Sequence, residues 1–292
     1  MTKTFSPSEA ALSVFELAKR QPQFVLRFCI IYALVLMVTY GLAGATGVGQ
    51  ALQNYVALTA GGRPPSPEKV MEVVSPAGTG LAIIIAFGLI TSAMTGAMGL
   101  RKAVLDEDRG LFGLQLGEDE LKFGLALMLV GLILVAINFA ISLLGGIMTG
   151  GNVGLAVLVI FVSLMITGIV GVRLSQFGVL TIANQKVSVR TSWDETKGQG
   201  LRFAGAYLLW IVIAGIIGII AQSIGGIAAG AMGVKVGVGM PATLGEFMRP
   251  GWLFYSLIYG LASGFGNLGS ICVGAYAWHQ MRGNIPIPKS PL

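Results

Sequence analysis

Five long stretches of the chain contain no aspartate, glutamate, lysine or arginine, and this feature limits the possible folds more than any other. They are residues 28–62, 73–100, 123–172, 203–234 and 250–281. An apolar helix needs about 20 residues to cross a bilayer, so each stretch is long enough. The third stretch holds 50 residues, and one helix of that length, about 75 Å, would far exceed the hydrocarbon core of about 30 Å. It must therefore fold back, and the glycines of GGIMTGGNVG (145–154) predict the turn.

The sequence thus predicts an all-α polytopic membrane protein with six transmembrane helices arranged as three hairpins. Hydrophobic residues make up 54% of the chain and charged residues 11%, whereas soluble domains carry about 25% charged residues. We expect one transmembrane domain over residues 1–292. The predicted spans cover about 24–45, 78–100, 123–146, 153–173, 203–224 and 252–281.

Residues 1–23 predict an amphipathic helix that lies on the cytoplasmic face. In FSPSEAALSVFELAKR, Ser6 can cap the helix, Pro7 suits its first position and Glu9 completes a capping box. An apolar stripe would face the bilayer surface, and it consists of Ala11, Leu12, Phe15 and Ala18. The alternative is a cleaved signal peptide, because Ala43-Gly44-Ala45 has the form of a cleavage site.

The basic residues predict the orientation. With six spans, fifteen lysines and arginines fall on the side of the two termini and four on the other. The positive-inside rule then places the N- and C-termini in the cytoplasm. The net charge of +6 is therefore a topology signal and not a nucleic-acid footprint, since no basic domain exists. The ordinary alternative is that these basic residues contact anionic lipid headgroups.

Helix ends on the terminal side share a pattern. Each outward helix opens with leucine, a cation and phenylalanine, at Leu26-Arg27-Phe28, Leu121-Lys122-Phe123 and Leu201-Arg202-Phe203. Each return helix ends in an arginine: Arg101, Arg173 and Arg282. We interpret these six cations as interfacial anchors that snorkel to the headgroups. The pattern suggests three repeated hairpins, although cytoplasmic helix ends share these features in general.

Two acidic segments precede the later hairpins. They are TSWDETKG (191–198) and GEDE (117–120). Acids in the first turn of a helix offset its dipole, and Thr191 or Ser192 can cap such a helix. Adjacent carboxylates on a helix point about 100° apart, which does not suit a paired acid/base site. We therefore interpret both segments as structural.

The same segments carry a resemblance. Ser-Trp-x-x-Thr-Lys-Gly at 192–198 and Leu-Gly-x-x-Glu-Leu at 116–121 resemble segments of uncharacterised six-helix inner-membrane proteins of proteobacteria. That group is similar to the membrane domain attached to some glycerophosphodiester phosphodiesterases. The resemblance implies a bacterial inner-membrane location and no site residues.

Few residues of the spans carry chemistry. His279 is the only histidine, and we expect it at headgroup level; haem or chlorin ligation is the alternative. Zinc would need four ligands, so one histidine and two cysteines predict no metal site. Cys29 and Cys272 are expected to pack as small apolar residues. We expect no cofactor, no nucleic-acid partner and no enzyme activity.

Polar and small residues inside the spans define two further expectations. Thr91, Thr95, Asn138 and Asn267 either bond neighbouring helices or line a polar path. A ridge for close helix packing is predicted on the last span, and it consists of Ala262, Gly266, Ser270 and Gly274, with Gly260 and Gly264 as a second pair. The predicted function is that of an accessory, assembly or scaffold protein whose partners are membrane lipids, other membrane subunits or a second copy. The alternative is a channel or carrier for a neutral small molecule or lipid.

The two longer connections on the outer side also predict helices. Residues 49–78 would form two short surface helices around Pro64-Pro65-Ser66-Pro67. Residues 239–252 would form one more, capped by Thr243 and carrying the apolar residues Leu244, Phe247 and Met248.

Overall fold

The computed structural model describes residues 4–60, 66–110, 112–149, 153–236 and 240–283. Within these ranges the chain forms twelve α-helices, one 3-10 helix at Ser75–Ala77, and no β-strand. The helices are α1 Pro7–Arg20, α2 Pro22–Ala45, α3 Val48–Thr59, α4 Pro67–Val74, α5 Gly78–Leu105, α6 Glu118–Thr149, α7 Val153–Leu174, α8 Phe177–Asn184, α9 Val189–Glu195, α10 Gly200–Ala231, α11 Leu244–Phe247 and α12 Pro250–Arg282.

Six of these helices are long and apolar enough to cross a membrane: α2, α5, α6, α7, α10 and α12. The protein is therefore an all-α polytopic membrane protein, as the uncharged stretches predicted. Several helices exceed the predicted spans, and α12 with its 33 residues is about 50 Å long. Helix α6 ends at Thr149 and α7 begins at Val153, both within the turn predicted at 145–154, and residues 150–152 lie outside the described residues.

The helices divide into two compact units, which we describe separately. The first comprises Met1–Glu16, Gly96–Ile211 and Gly269–Leu292. Its core joins the end of α5, the start of α6, the short helix α8 and the end of α12, through residues such as Leu100, Phe123, Leu180 and Trp278. The rings of Phe123 and Phe177 stack with centroids 5.7 Å apart. Most of the buried polar residues of the described chain belong to this unit.

The second unit comprises Leu17–Thr95 and Val212–Leu268. An aromatic cluster lies at its centre, where Trp252 meets Tyr40 and Tyr255 edge to face. The helices α2 and α12 approach closely because two glycines of α12 face α2. A methyl group added at Gly260 would lie 2.6 Å from the Ala33 Cα, and one at Gly264 would lie 3.0 Å from the Cys29 Cα. Whether the two units form the single predicted domain stays a prediction.

The outer connections form the predicted short helices, in part. Helices α3 and α4 occupy the first connection, while Pro64 and Pro65 lie outside the described residues. Helix α11 occupies the second, and the Thr243 side chain accepts a hydrogen bond from the Glu246 backbone N–H at 3.1 Å. The threonine cap was therefore predicted correctly.

Helix α1 begins at Pro7 as predicted, but its packing differs from expectation. The Glu9 N–H donates to Ser6 Oγ at 3.5 Å, and α1 buries Ala10, Ala11 and Val14 against the protein. Phe5 lies against Phe203 of α10 with centroids 4.9 Å apart. Leu12, predicted to be part of the apolar stripe, is 47% exposed. The buried face of α1 therefore includes Ala11 of the predicted stripe but not Leu12.

Candidate functional site

Thr91 and Thr95, two of the predicted lining residues, use their hydroxyl groups within their own helix. Thr91 Oγ1 donates to the Phe87 carbonyl and Thr95 Oγ1 donates to the Thr91 carbonyl, each at 2.8 Å. A hydroxyl bound to the carbonyl four residues earlier satisfies its donor without a neighbour. These contacts hold the two side chains against α5.

Asn138 connects two helices. Its Nδ2 donates to the Leu134 carbonyl at 2.9 Å, and its Oδ1 accepts from Ser163 Oγ at 3.1 Å and Thr167 Oγ1 at 3.3 Å. All three side chains lie in helices that cross the membrane, where an unpaired amide is costly. Ser163 and Thr167 were missed from the sequence, although two hydroxyls four residues apart in an otherwise apolar helix were a usable signal.

Asn267 is exposed on α12, and its depth in the membrane stays a prediction. Gly260 faces Ala33 and Gly264 faces Cys29. The two helices are therefore antiparallel, and moving forward by a number of residues on α12 corresponds to moving back by the same number on α2. Asn267 is therefore level with Leu26, next to the predicted headgroup residue Arg27. The predicted span, 252–281, agrees with α12, and Asn267 lies near the middle of this helix.

The predicted packing ridge of α12 is used unevenly. A methyl group at Gly266 would lie 3.7 Å from the Ala214 Cβ, an ordinary contact, and one at Gly274 would lie 3.2 Å from the Tyr207 hydroxyl. Ala262 is half-buried and Ser270 is exposed. Tighter approaches are made by Gly260 and Gly264, the second predicted pair, and by Gly269, which packs against the Trp210 ring.

The main departure from the sequence prediction is Arg101, which was expected to snorkel. Its guanidinium is 1% exposed and forms an ion pair with Glu120, itself 2% exposed. The Arg101 Nη2 group also donates to the Gly113 carbonyl at 3.2 Å, and Glu120 Oε2 accepts from the Gly117 N–H at 3.0 Å. Because the charge is enclosed by protein, Arg101 is not an interfacial anchor.

The same ion pair changes the interpretation of GEDE. Glu118, Asp119 and Glu120 do lie in the first turn of α6, where they oppose the helix dipole. However, Asp119 and Glu120 are buried, and an Asp119 oxygen lies 4.0 Å from Arg101 Nη1. The segment therefore also neutralises a buried arginine that ends the preceding hairpin.

The other two return arginines contact the segment around α9. The Arg282 Nη2 group pairs with Glu195 at 3.0 Å, and its guanidinium lies 5.0 Å from the centre of the Trp278 ring. The Arg173 guanidinium lies 5.8 Å from the centre of the Trp193 ring. The Tyr276 hydroxyl, near the end of α12, donates to Glu9 of α1. In the first unit, the ends of the return helices α5, α7 and α12 therefore each contact a segment that precedes the first helix of another hairpin.

The acids of TSWDETKG lie elsewhere than predicted. Asp194 and Glu195 are at the end of α9, and α10 begins only at Gly200. Ser192 is not a cap: its hydroxyl is buried and donates to the Arg173 carbonyl at 3.0 Å. An acidic pair before an apolar run looks like a helix start in sequence, and the intervening turn at Gly198 was the missed signal.

The three opening cations have different local partners. Lys122 pairs with Glu118 at 2.8 Å, and the Arg27 guanidinium lies 5.7 Å from the centre of the Phe24 ring. Arg202 is half-buried at the start of α10. Their common depth in the headgroup layer stays a prediction.

His279 and the cysteines have packing roles. The His279 Nε2 atom lies 3.2 Å from the Ala103 carbonyl, and Cys29 and Cys272 are free and buried. Within the described ranges, no three His, Cys, Asp or Glu side chains are grouped as a metal site would require.

No known family model, curated protein or solved structure matches this chain. The resemblance to the membrane domain of some glycerophosphodiester phosphodiesterases therefore stays a prediction.

Proposed function

We propose that this integral membrane protein is a non-catalytic accessory, assembly or scaffold protein of the bacterial inner membrane, with both termini in the cytoplasm. It acts through membrane lipids or other membrane protein subunits. The observation that carries this proposal is the pairing of Asn138 with Ser163 and Thr167. An amide within one apolar span thereby connects that span to the next one.

The surface of the α6–α7 hairpin also supports this proposal. Only 6% of the most apolar window of each of these two spans is buried inside the chain, against 39% for the span of α12. Helices stabilised mainly by their own chain would bury more of this area. The hairpin therefore offers a large apolar area to lipid or to the helices of a partner.

The alternative function, a channel or carrier, requires the predicted lining residues to face a common polar path. The hydroxyls of Thr91 and Thr95 instead bind their own helix, and Asn267 is level with the start of α2. These contacts favour the accessory function.

Photo-crosslinking from the exposed hairpin tests the proposal. A benzophenone amino acid would replace Phe139 of α6 or Phe161 of α7, with Leu208 of α10 as an equally exposed control site. We expect one discrete protein adduct or one enriched lipid class from the hairpin sites only. A chain that purifies alone, as a monomer without enriched lipid and with the same diffuse adducts at all three sites, would contradict the proposal.

A further inference from the structure

Helix α9 lies directly at the end of the membrane helix α7. The Arg173 carbonyl at the end of α7 accepts hydrogen bonds from Ser192 Oγ at 3.0 Å and from Thr196 Oγ1 at 3.1 Å. The Gln176 N–H donates to Ser192 Oγ at 3.1 Å. Ser192 and Thr196 are fully buried, so the inner side of this segment is fixed to the end of a span.

The outer side of the same segment is basic and aromatic. Arg190, Trp193 and Lys197 are exposed. Arg190 and Trp193 share one face of α9, three residues apart, and Lys197 lies in the turn that follows the helix. Neither Arg190 nor Lys197 forms an ion pair with any residue that the structure describes. Of the two acids within this segment, Glu195 is bound to Arg282 and Asp194 is exposed.

Arg173 adds a third cation to this face. Its guanidinium lies 5.8 Å from the centre of the Trp193 ring. Its Nη1 atom is buried and has no hydrogen-bond partner in the part of the chain that the structure describes. Arg173 as a whole is half-buried, and a phosphate oxygen is an acceptor that an arginine binds well.

An apolar stripe on α7 leads to this group of cations. Val162, Met165 and Ile169 are exposed, and their spacing places them on the face of α7 that ends at Arg173. From Val162 to Arg173 the helix rises about 16 Å, close to the thickness of one leaflet of the hydrocarbon core.

We propose that Arg173, Arg190, Trp193 and Lys197, which we call the α9 face, bind the phosphate headgroup of an anionic membrane lipid. The acyl chains lie along the apolar stripe of α7, and the Trp193 ring sits at the level where the headgroup meets the chains. An acidic protein segment would need the cations but not the stripe. The inference rests on the proposed function, since it identifies one lipid partner.

Lipid retention by the intact protein tests the α9 face. Full-length protein would be placed in nanodiscs that contain equal parts of phosphatidylglycerol and phosphatidylethanolamine. Native mass spectrometry would release the protein from the nanodisc, and the lipids that stay bound to it would be counted. We expect retained phosphatidylglycerol in the wild type. The R190Q/K197Q variant should lose about 25-fold in apparent affinity, because each cation near a membrane contributes a factor of about 5. Arg173→Gln should lose at least as much as either single variant.

A charge-matched control separates a site from general attraction. Lys235 and Arg249 are exposed cations on the other predicted side, so K235Q/R249Q removes the same net charge and should retain the lipid. Equal loss in both double variants, equal retention of the two lipids, or release of an acidic protein in place of lipid would overturn the inference. Lipid retention is counted apart from protein co-purification and crosslinking, so failure of the site leaves a protein-partner function intact.

Discussion

Arg101 and Glu120 form a buried ion pair that joins the end of α5 to the start of α6. The two residues are separated by 19 positions, and the pair closes the segment between the first and second hairpins. Arg101 also holds the Gly113 carbonyl, and Glu120 holds the Gly117 N–H. Each charged group is therefore stabilised by its partner and by one backbone group of the segment between them.

Removing one partner of this pair should be strongly destabilising. We expect Arg101→Gln or Glu120→Gln to lower the free energy of unfolding by about 3–5 kcal/mol, because the remaining buried charge loses its counter-ion. The R101M/E120L double variant should lose less than the sum of the single changes, since neither member of the pair is left without its counter-ion, and the buried Asp119 keeps Arg109 at 4.0 Å. Equilibrium unfolding of detergent-solubilised protein measures these differences.

The exposed pair of Lys122 and Glu118 is the matched control on the same helix. Glu118 is 78% exposed, so Lys122→Gln should cost less than about 1 kcal/mol. Similar losses for Lys122→Gln and Arg101→Gln would contradict the distinction between a buried pair and a surface pair.

Asn138 should stabilise the hairpin of α6 and α7. We expect Asn138→Leu to cost about 0.6–1.7 kcal/mol, the range found for hydrogen bonds between membrane helices. Ser163→Ala and Thr167→Ala should each cost less, because Oδ1 of Asn138 keeps one donor in either case. A liposome flux assay on Asn138→Leu gives the functional comparison, and loss of solute flux in a correctly folded variant would favour the channel function.

The spans could be predicted because the absence of charge over more than 20 residues allows few folds in water. The burial of Arg101 could not be predicted, because an arginine at a helix end has the same sequence pattern whether its side chain reaches a lipid headgroup or an acid that is distant in sequence. The depth of Asn267 stays a prediction for a related reason. A helix of 33 residues is longer than the membrane, and its sequence does not specify which part is in lipid.

The opening cations Arg27, Lys122 and Arg202 are predicted to be anchors with one function. Replacing each with glutamine should lower membrane insertion by about 1 kcal/mol and leave any specific activity unchanged. Leu132→Arg, at an exposed position near the middle of α6, provides the contrast and should cost roughly 3 kcal/mol. The yield of folded protein in the membrane fraction measures insertion. Abolished activity in a correctly inserted Arg202→Gln variant would contradict an anchor role.

The glycines of α12 allow a comparison between two positions on one helix. A methyl group at Gly260 would lie 2.6 Å from the Ala33 Cα, which only a shift of α2 can relieve, whereas at Gly266 it would lie 3.7 Å from the Ala214 Cβ. We expect Gly260→Ala to cost about 1–3 kcal/mol in unfolding free energy through overpacking. Gly266→Ala should be neutral or stabilise by up to about 1 kcal/mol, because alanine is the better helix former. Unfolding in mixed micelles compares the two variants directly, and the close approach of α2 to α12 would be refuted if Gly260→Ala proved as stable as Gly266→Ala.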